Sequence, residues 1–140
     1  MRHRGLTLLE LTVVLAICGV LTAVAIPRFT AFRNASSVRS AAAEVAALFT
    51  LARQTAVAHR ATVAVVLDTT AGVVSVRSGS ALIARRPLRS IYFVTTSANR
   101  DSAVYDARGM GFGVSNITIT IRRGSSVDTL TMSRLGRLTW

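Results

Sequence analysis

The stretch RGLTLLELTVVLAICGVLTAVAIP, residues 4–27, decides the fold of this chain because it is too apolar for the surface of a soluble domain. Between residues 6 and 26 it carries a single charged side chain, Glu10. A membrane-spanning helix needs about 20 consecutive apolar residues, so the stretch is long enough to cross a bilayer. Glu10 is the feature that needs an explanation, since a carboxylate inside a membrane helix costs free energy.

Three interpretations of this stretch compete. In the first, it is a secretory signal peptide that is cleaved after the small residues Ala23-Val24-Ala25. In the second, it is an uncleaved membrane anchor. In the third, the basic leader MRHRG is removed on the cytoplasmic side, and the apolar helix stays in the mature protein. Neither of the first two interpretations gives Glu10 a purpose.

The stretch resembles the prepilin-type signal of type IV pilins and type II secretion pseudopilins, in which a basic leader ends in Gly and a Glu follows soon after the cut. The resemblance implies that a prepilin peptidase cleaves between Gly5 and Leu6 and that the new amine of Leu6 is N-methylated. It also implies that Glu10 acts in assembly and register, because a neighbouring subunit's amine neutralises its carboxylate in the filament. Pro27 stands where the family often has a proline that kinks the helix.

The same resemblance implies a single-pass protein of the bacterial inner membrane, with its C-terminal part in the periplasm or otherwise outside the cytoplasm. Its expected partners are membrane lipid before assembly, the inner-membrane assembly platform, and then other pseudopilins or minor pilins in a pseudopilus or pilus. Arg side chains flank both ends of the apolar run, so charge alone does not set the orientation.

Beyond residue 27, apolar residues recur at spacings of three and four, which predicts that the helix continues to about residue 58 as an amphipathic helix. The predicted buried stripe consists of Phe29, Phe32, Ser36, Val38, Ala42, Val45, Leu48, Phe49, Ala52 and Ala56. After residue 60 the pattern changes to period two with many β-branched residues. It predicts strands at residues 62–68, 73–77, 81–84, 91–95, 104–106, 116–122 and 128–133, and a last short strand near Leu138.

The predicted fold is therefore α+β and pilin-like, with a long N-terminal helix, half membrane and half amphipathic, packed on a C-terminal antiparallel β-sheet head. The predicted division is a leader at residues 1–5 and a transmembrane or filament-core helix at residues 6–26. An amphipathic helix at residues 27–59 and a β-rich head at residues 60–140 follow.

The composition points away from catalysis. The single cysteine, Cys18, cannot form an intrachain disulfide or a four-ligand zinc site. His3 lies in the leader and His59 at the predicted helix end, and the acidic residues are scattered along the chain. Catalysis needs groups that converge, so we expect neither an enzyme nor a metal or cofactor site.

The rest of the chain is similar to the GspH/FimT family. The segment at residues 46–66, AALFTLARQTAVAHRATVAVV, carries the family's AR-x-x-A at a helix end, and VYDARGMG at 104–111 matches its short strand followed by Gly. DTLTMSRLGRLTW at 128–140 resembles its ending of a strand followed by Gly-Arg. The resemblance implies an H-type minor pseudopilin of a type II secretion system, a structural subunit of the periplasmic pseudopilus acting in protein secretion.

Two alternatives stay open. One is a FimT/FimU-like minor type IV pilin, and some of these bind DNA for uptake through a C-terminal Gly-Arg-x-Arg stretch. Here that place reads Gly136-Arg137-Leu138-Thr139, without the second Arg, and Arg134 lies two residues before the Gly. The candidate DNA-binding residues are thus Arg134, Gly136 and Arg137. The other alternative is a secreted soluble β-domain released after residue 25.

The basic charge is the remaining observation that bears on DNA. The net charge is +11, and all 17 basic residues are Arg. Such residues give either sequence-independent phosphate binding or an ordinary solvated surface rich in Arg. The denser groups are Arg85, Arg86 and Arg89 in a predicted loop, and Arg122 and Arg123 at a predicted hairpin.

Overall fold

Helix α1, Leu8–His59, is the longest element of the chain, and its abundance of Ala and Leu favours helix formation. The structure is a computed structural model that describes residues 7–113 and 116–139. The chain divides into two compact units, Met1–Arg33 and Asn34–Trp140, and α1 contributes to both. The predicted cleavage site at Gly5 and Leu6 lies outside the described residues.

In the first unit, every residue from 7 to 33 is exposed. The prediction that Phe29 and Phe32 are buried is wrong, because 63% and 70% of their surfaces are exposed. Ser36 is exposed as well. Residue spacing identifies a helix face but does not say where along the helix a partner surface begins, and burial on α1 begins only at Val38.

In the second unit, the described residues after α1 form eight strands and one short helix. The strands form two antiparallel sheets, with the orders β3-β2-β1-β5 and β4-β6-β7-β8. The elements are β1 Val63–Asp68, β2 Val73–Ser78, β3 Ala81–Pro87, α2 Leu88–Tyr92, β4 Thr95–Ala98, β5 Ser102–Tyr105, β6 Ile117–Arg123, β7 Ser126–Met132 and β8 Leu138–Thr139. This arrangement confirms the predicted fold class, with the head divided between two sheets.

One apolar core joins the C-terminal part of α1 to both sheets. The core-facing helix residues are spaced by three and four, and the strands contribute every second residue, as in the buried-then-intermediate alternation of β1 and β6. Cross-strand pairs such as Val65 with Val76, and Ile119 with Leu130, fix the register of the two sheets. The helix contributes Val38, Ala41, Ala42, Val45, Leu48, Phe49, Ala52 and Ala56 to this core.

The predicted strand at residues 91–95 is wrong. Its first part belongs to α2, and β4 begins only at Thr95. Phe93 ends the helix in the left-handed conformation, with φ of 55°, and its N–H donates to the carbonyl of Arg89 at 3.0 Å. Ile91 and Phe93 are half to two-thirds exposed, whereas Leu88 and Val94 are buried, so the apolar run does not line one face of a strand.

The basic group that was predicted to lie in a loop is instead part of regular structure. Arg85 and Arg86 lie on the edge strand β3, and Arg89 lies on α2. The predicted hairpin at Arg122 and Arg123 is confirmed, since both residues end β6 ahead of the turn to β7.

Candidate functional site

The first unit presents an uncovered apolar helix surface. Within the described part of the chain, α1 is the one helix that is long and apolar enough to cross a membrane, with a mean hydropathy of 2.4 over its most apolar window. None of that window is buried in the chain itself. A helix that is apolar all round needs lipid or other helices as its surroundings.

Glu10 lies in the first turn of α1, where it forms a reciprocal pair with Thr7. The backbone N–H of Glu10 donates to Oγ1 of Thr7 at 3.2 Å, and the N–H of Thr7 donates to Oε2 of Glu10 at 3.5 Å. This is a capping box, which satisfies two of the amides that a helix start leaves without partners. Its signal in the sequence is the Thr-x-x-Glu spacing of TLLE.

Pro27 lies inside α1, and the helix continues on both sides of it. Proline has no N–H, so the carbonyl of Ala23 lacks its usual helical donor. The kink at this position stays a prediction.

A concave feature of the second unit, which we call the C-terminal groove, lies between the end of α1 and the segment before β8. Its volume is about 660 Å³. The residues that line it are Phe49, Thr50, Arg53, Gln54, Val57, Ala58, Tyr105, Gly136, Arg137 and Leu138. It therefore brings together two of the three predicted C-terminal residues, Gly136 and Arg137, whereas Arg134 is exposed and does not line it.

Two glycine turns meet beside this groove. Gly136 has φ of +74°, and a Cβ there would lie 2.9 Å from the carbonyl oxygen of Gly109 and 3.0 Å from Cε1 of Tyr105. Gly109 also has φ of +74°, and a Cβ there would lie 2.9 Å from Cγ2 of Val57. Only glycine fits this left-handed backbone and close approach. The glycine before Arg137 thus allows the C-terminal turn to reach the ring of Tyr105.

The groove carries positive charge with no acid among its lining residues. Arg53 and Arg137 are exposed, and neither forms a salt bridge with another described residue. The nearby turn that contains Gly109 is closed by the Asp106 carboxylate, which accepts from the N–H groups of Met110 and Arg108 and from Nε of Arg108. The bond from the Met110 N–H is the largest cause that lowers the pKa of Asp106. That acid is therefore already engaged in its own turn.

Tyr105 is one of the lining residues of the groove and is 1% exposed. Its ring packs edge-on against Phe49, with centroids 6.4 Å apart. Burial raises its pKa to about 12, and the positive charge of Arg53 offsets part of that shift. None of the hydrogen bonds among the described residues involves the Tyr105 hydroxyl, so it is a buried polar group without a protein partner there.

Two members of the other arginine groups have structural partners. Nε of Arg86 donates to Glu44 of α1 at 2.7 Å. Arg123 donates through Nη1 to Oγ of Ser37 at 2.6 Å and to the carbonyl of Tyr92 at 2.7 Å. Its guanidinium also lies 5.5 Å from the centre of the Phe93 ring. These contacts explain part of the basic surface without any ligand.

Arg53 is the groove residue that sequence reasoning missed as a site. It appeared only as part of the AR-x-x-A pattern, and nothing in the chain order links it to residues 105 and 137. Within residues 7–113 and 116–139, no three His, Cys, Asp or Glu side chains come together in a group that could hold a metal ion.

Comparison with known proteins gives two family matches. Residues 41–136 match the family described as Type II transport protein GspH, and residues 1–26 match the prokaryotic N-terminal methylation motif. Among curated proteins, the type IV major pilin protein PilA of Myxococcus xanthus is 47% identical over 49 residues. That match covers 35% of this chain and only 22% of the relative.

Among solved structures, the type IV minor pilin FimU of Pseudomonas aeruginosa is similar in two crystal forms. One superposes with a TM-score of 0.62 at 21% identity, covering 74% of this chain and 87% of that one. The other gives a TM-score of 0.60 at 18% identity, covering 72% of this chain and 90% of that one. At these identities the likeness shows a shared fold: a long N-terminal helix packed on antiparallel sheet.

Proposed function

Because the chain belongs to the GspH family of pilin-like structural subunits, we propose that it is an H-type minor pseudopilin of a type II secretion system. The match of residues 41–136 to the GspH family carries this proposal, and the first half of α1, whose apolar side chains are all exposed, supports a subunit that passes from the membrane into a filament. Lipid surrounds this segment before assembly, and the helices of other pseudopilins surround it in the filament. The activity is structural, with no chemical step.

Processing comes first in this proposal. A prepilin peptidase cuts between Gly5 and Leu6 and methylates the new amine, which brings that amine close in sequence to Glu10. The match of residues 1–26 to the N-terminal methylation motif supports this step. An inner-membrane assembly platform then moves the helix from the bilayer into the filament, with the second unit held outside the cytoplasm.

Glu10 supplies the register of assembly. Once neighbouring helices surround the first turn of α1, its carboxylate is unfavourable unless an opposite charge pairs with it. The N-terminal amine of a neighbouring subunit provides that charge at one axial position. The capping box with Thr7 supports this role because it holds the carboxylate beside the helix start.

A minor subunit of a type IV pilus is the second candidate. The sequence match to a type IV pilin and the fold shared with a minor pilin favour it. Its DNA-binding form would use Gly136 and Arg137, which lie together at the C-terminal groove, and Arg134 on the exposed surface nearby in sequence.

The mature N-terminus is the first measurement that tests the proposal. Mass spectrometry of the protein extracted from membranes of its native host should find a chain that begins at methylated Leu6. A chain that begins at Ile26 would instead mean a secreted soluble domain, and Glu10 would be absent from the mature protein.

Deleting the gene in the native host separates the two machines. Loss of exported enzymes from the medium, with surface motility and DNA uptake unchanged, is expected for the type II secretion role. Loss of motility or DNA uptake with normal export would instead identify the chain as a subunit of a type IV pilus.

A further inference from the structure

We propose that the C-terminal groove binds a short acidic segment of a partner protein, in which a carboxylate stands next to an apolar side chain. The inference concerns the second unit alone, and it holds whichever filament the chain joins. It adds a docking site to a subunit whose proposed role otherwise rests on its N-terminal helix.

The size and walls of the groove suit one or two side chains of such a segment. Its volume of about 660 Å³ lies within the range of sites that hold small molecules. Val57 and Leu138 provide apolar wall, and the turn at Gly136 closes one side by its contact with Tyr105. An apolar side chain is therefore the part of the ligand that fills the groove.

Charge complementarity selects the other part of the ligand. Arg53 and Arg137 both line the groove, and no acidic residue shares the lining with them. Unlike Arg86 and Arg108, neither Arg53 nor Arg137 forms a salt bridge with another described residue. A carboxylate matches the planar, forked donors of guanidinium groups.

The same geometry favours a peptide over a nucleic acid. Proteins that bind single strands offer exposed aromatic faces on which bases stack. Phe49 and Tyr105, the aromatic residues of the lining, are both 1% exposed and pack against each other. Arg134, the third residue of the candidate DNA site, lies outside the groove.

The absence of lysine from the sequence allows a specific test. The full-length R53K and R137K variants are each expressed in the native host in place of the wild type. Each variant places the only lysine amine of the chain in the groove and keeps the positive charge. Membranes are treated with a carbodiimide, which joins an amine to a touching carboxylate as an amide, and the linked peptides are identified by mass spectrometry. The R134K variant, whose new amine lies outside the groove, is the matched control.

A carboxylate that is held beside the amine reacts faster than one that meets it by collision, so we expect roughly tenfold more adduct from R53K and R137K than from R134K. The adduct should map to Asp or Glu beside an apolar residue of one partner protein. Equal yields from all three variants would overturn the proposal, and so would adducts that map to a second copy of this chain.

A gel shift with a fluorescein-labelled strand of about 12 nucleotides, a length within the usual site sizes of single-strand binders, tests the nucleic-acid occupant. The R53Q variant should bind the strand as the wild type does. Loss of strand binding in R53Q, together with no carboxylate adduct in R53K, would make the groove a phosphate site and the proposal wrong.

Discussion

At the residue scale, Glu10 caps helix α1, and we propose that it also sets the register of assembly; the variant Glu10→Gln separates the two roles. A glutamine keeps the side-chain acceptor that a capping box needs but removes the charge. Breaking a buried ion pair by removing one partner costs about 3–5 kcal/mol, so incorporation into filaments should fall by at least about tenfold. Quantitative immunoblotting of sheared filaments against whole membranes measures the incorporated fraction.

The matched control for this prediction is Thr7→Val, which removes the cap hydroxyl and leaves the charge of Glu10 in place. Losing a cap costs about 0.5–2 kcal/mol of helix stability, and we expect assembly to continue. Normal incorporation of Glu10→Gln would show that assembly does not need the charge, and equal defects in both variants would show that capping is the main role of this carboxylate.

Gly136 should tolerate no side chain. Its φ is +74°, and a Cβ added there would lie 2.9 Å from Gly109 and 3.0 Å from Tyr105, so Gly136→Ala adds both backbone strain and a clash. We expect a loss of about 2–3 kcal/mol in the free energy of unfolding, measured by urea titration. Gly79→Ala is the control, because its φ is +57° but its Cβ would meet no atom within 4 Å, so it should lose clearly less.

Tyr105 should make stability fall at alkaline pH. Its pKa is raised from 10.0 to about 12, so the folded state keeps the neutral phenol while the unfolded state ionises near pH 10. Below pH 10 both states hold the proton and stability is unaffected, whereas from pH 10 towards 12 the unfolded state alone loses it and the stability falls. Tyr105→Phe should therefore flatten the decline of the urea midpoint over that interval.

At neutral pH, Tyr105→Phe should leave stability unchanged or slightly higher, since it removes a hydroxyl without a partner among the described residues. A large loss at neutral pH would mean that the hydroxyl has a partner.

At the scale of elements, Arg123 at the β6–β7 hairpin connects the end of α2 to α1 through hydrogen bonds. It bonds both Ser37 of α1 and the last carbonyl of α2, and its guanidinium approaches Phe93. Hydrogen bonds to charged groups are worth about 1.5–3 kcal/mol each, so Arg123→Ala should lower the free energy of unfolding by at least about 2 kcal/mol. The exposed neighbour Arg122 is the control, and Arg122→Ala should change it by less than about 0.5 kcal/mol. If Arg123→Ala and Arg122→Ala lowered the free energy of unfolding equally, the hydrogen bonds of Arg123 would not hold these elements together.

The elements whose pattern is long were predicted most closely, although the short strands β5 and β8 were also found. Strands β1, β6 and β7 alternate over six or seven residues with one face in the core, which a period of two reveals directly. The short run IYFVT also alternates in burial, but Ile91 and Tyr92 belong to the single helical turn that follows Pro87, and only Thr95 belongs to a strand. A short apolar run is compatible with either helix or strand, so its pattern alone does not predict which one forms. Here the residues on either side that pack into the core are Leu88 and Val94.

At the scale of the whole molecule, the candidate site was only partly predictable. Gly136 and Arg137 were found from a local motif, but the groove also needs Arg53 and Tyr105, which are far apart in the chain. Their convergence depends on how β5 and the last turn meet the end of α1, and no local pattern encodes that meeting. The sequence therefore identified Arg137 as a candidate site residue, but it did not show that Arg53 and Tyr105 line the same groove.

The distribution of burial predicts how the chain behaves when it is shortened. Among the described residues, every buried apolar side chain lies at Val38 or beyond, and residues 7–33 contribute none. A fragment that begins at Arg28 keeps Asn34 and Ser37, which meet the β6–β7 hairpin, and removes the apolar window. It should therefore be a soluble monomer with the thermal midpoint of the full chain in detergent, within a few degrees. Analytical ultracentrifugation and circular dichroism check both expectations. A fragment that unfolds or associates would show that the first part of α1 stabilises the head.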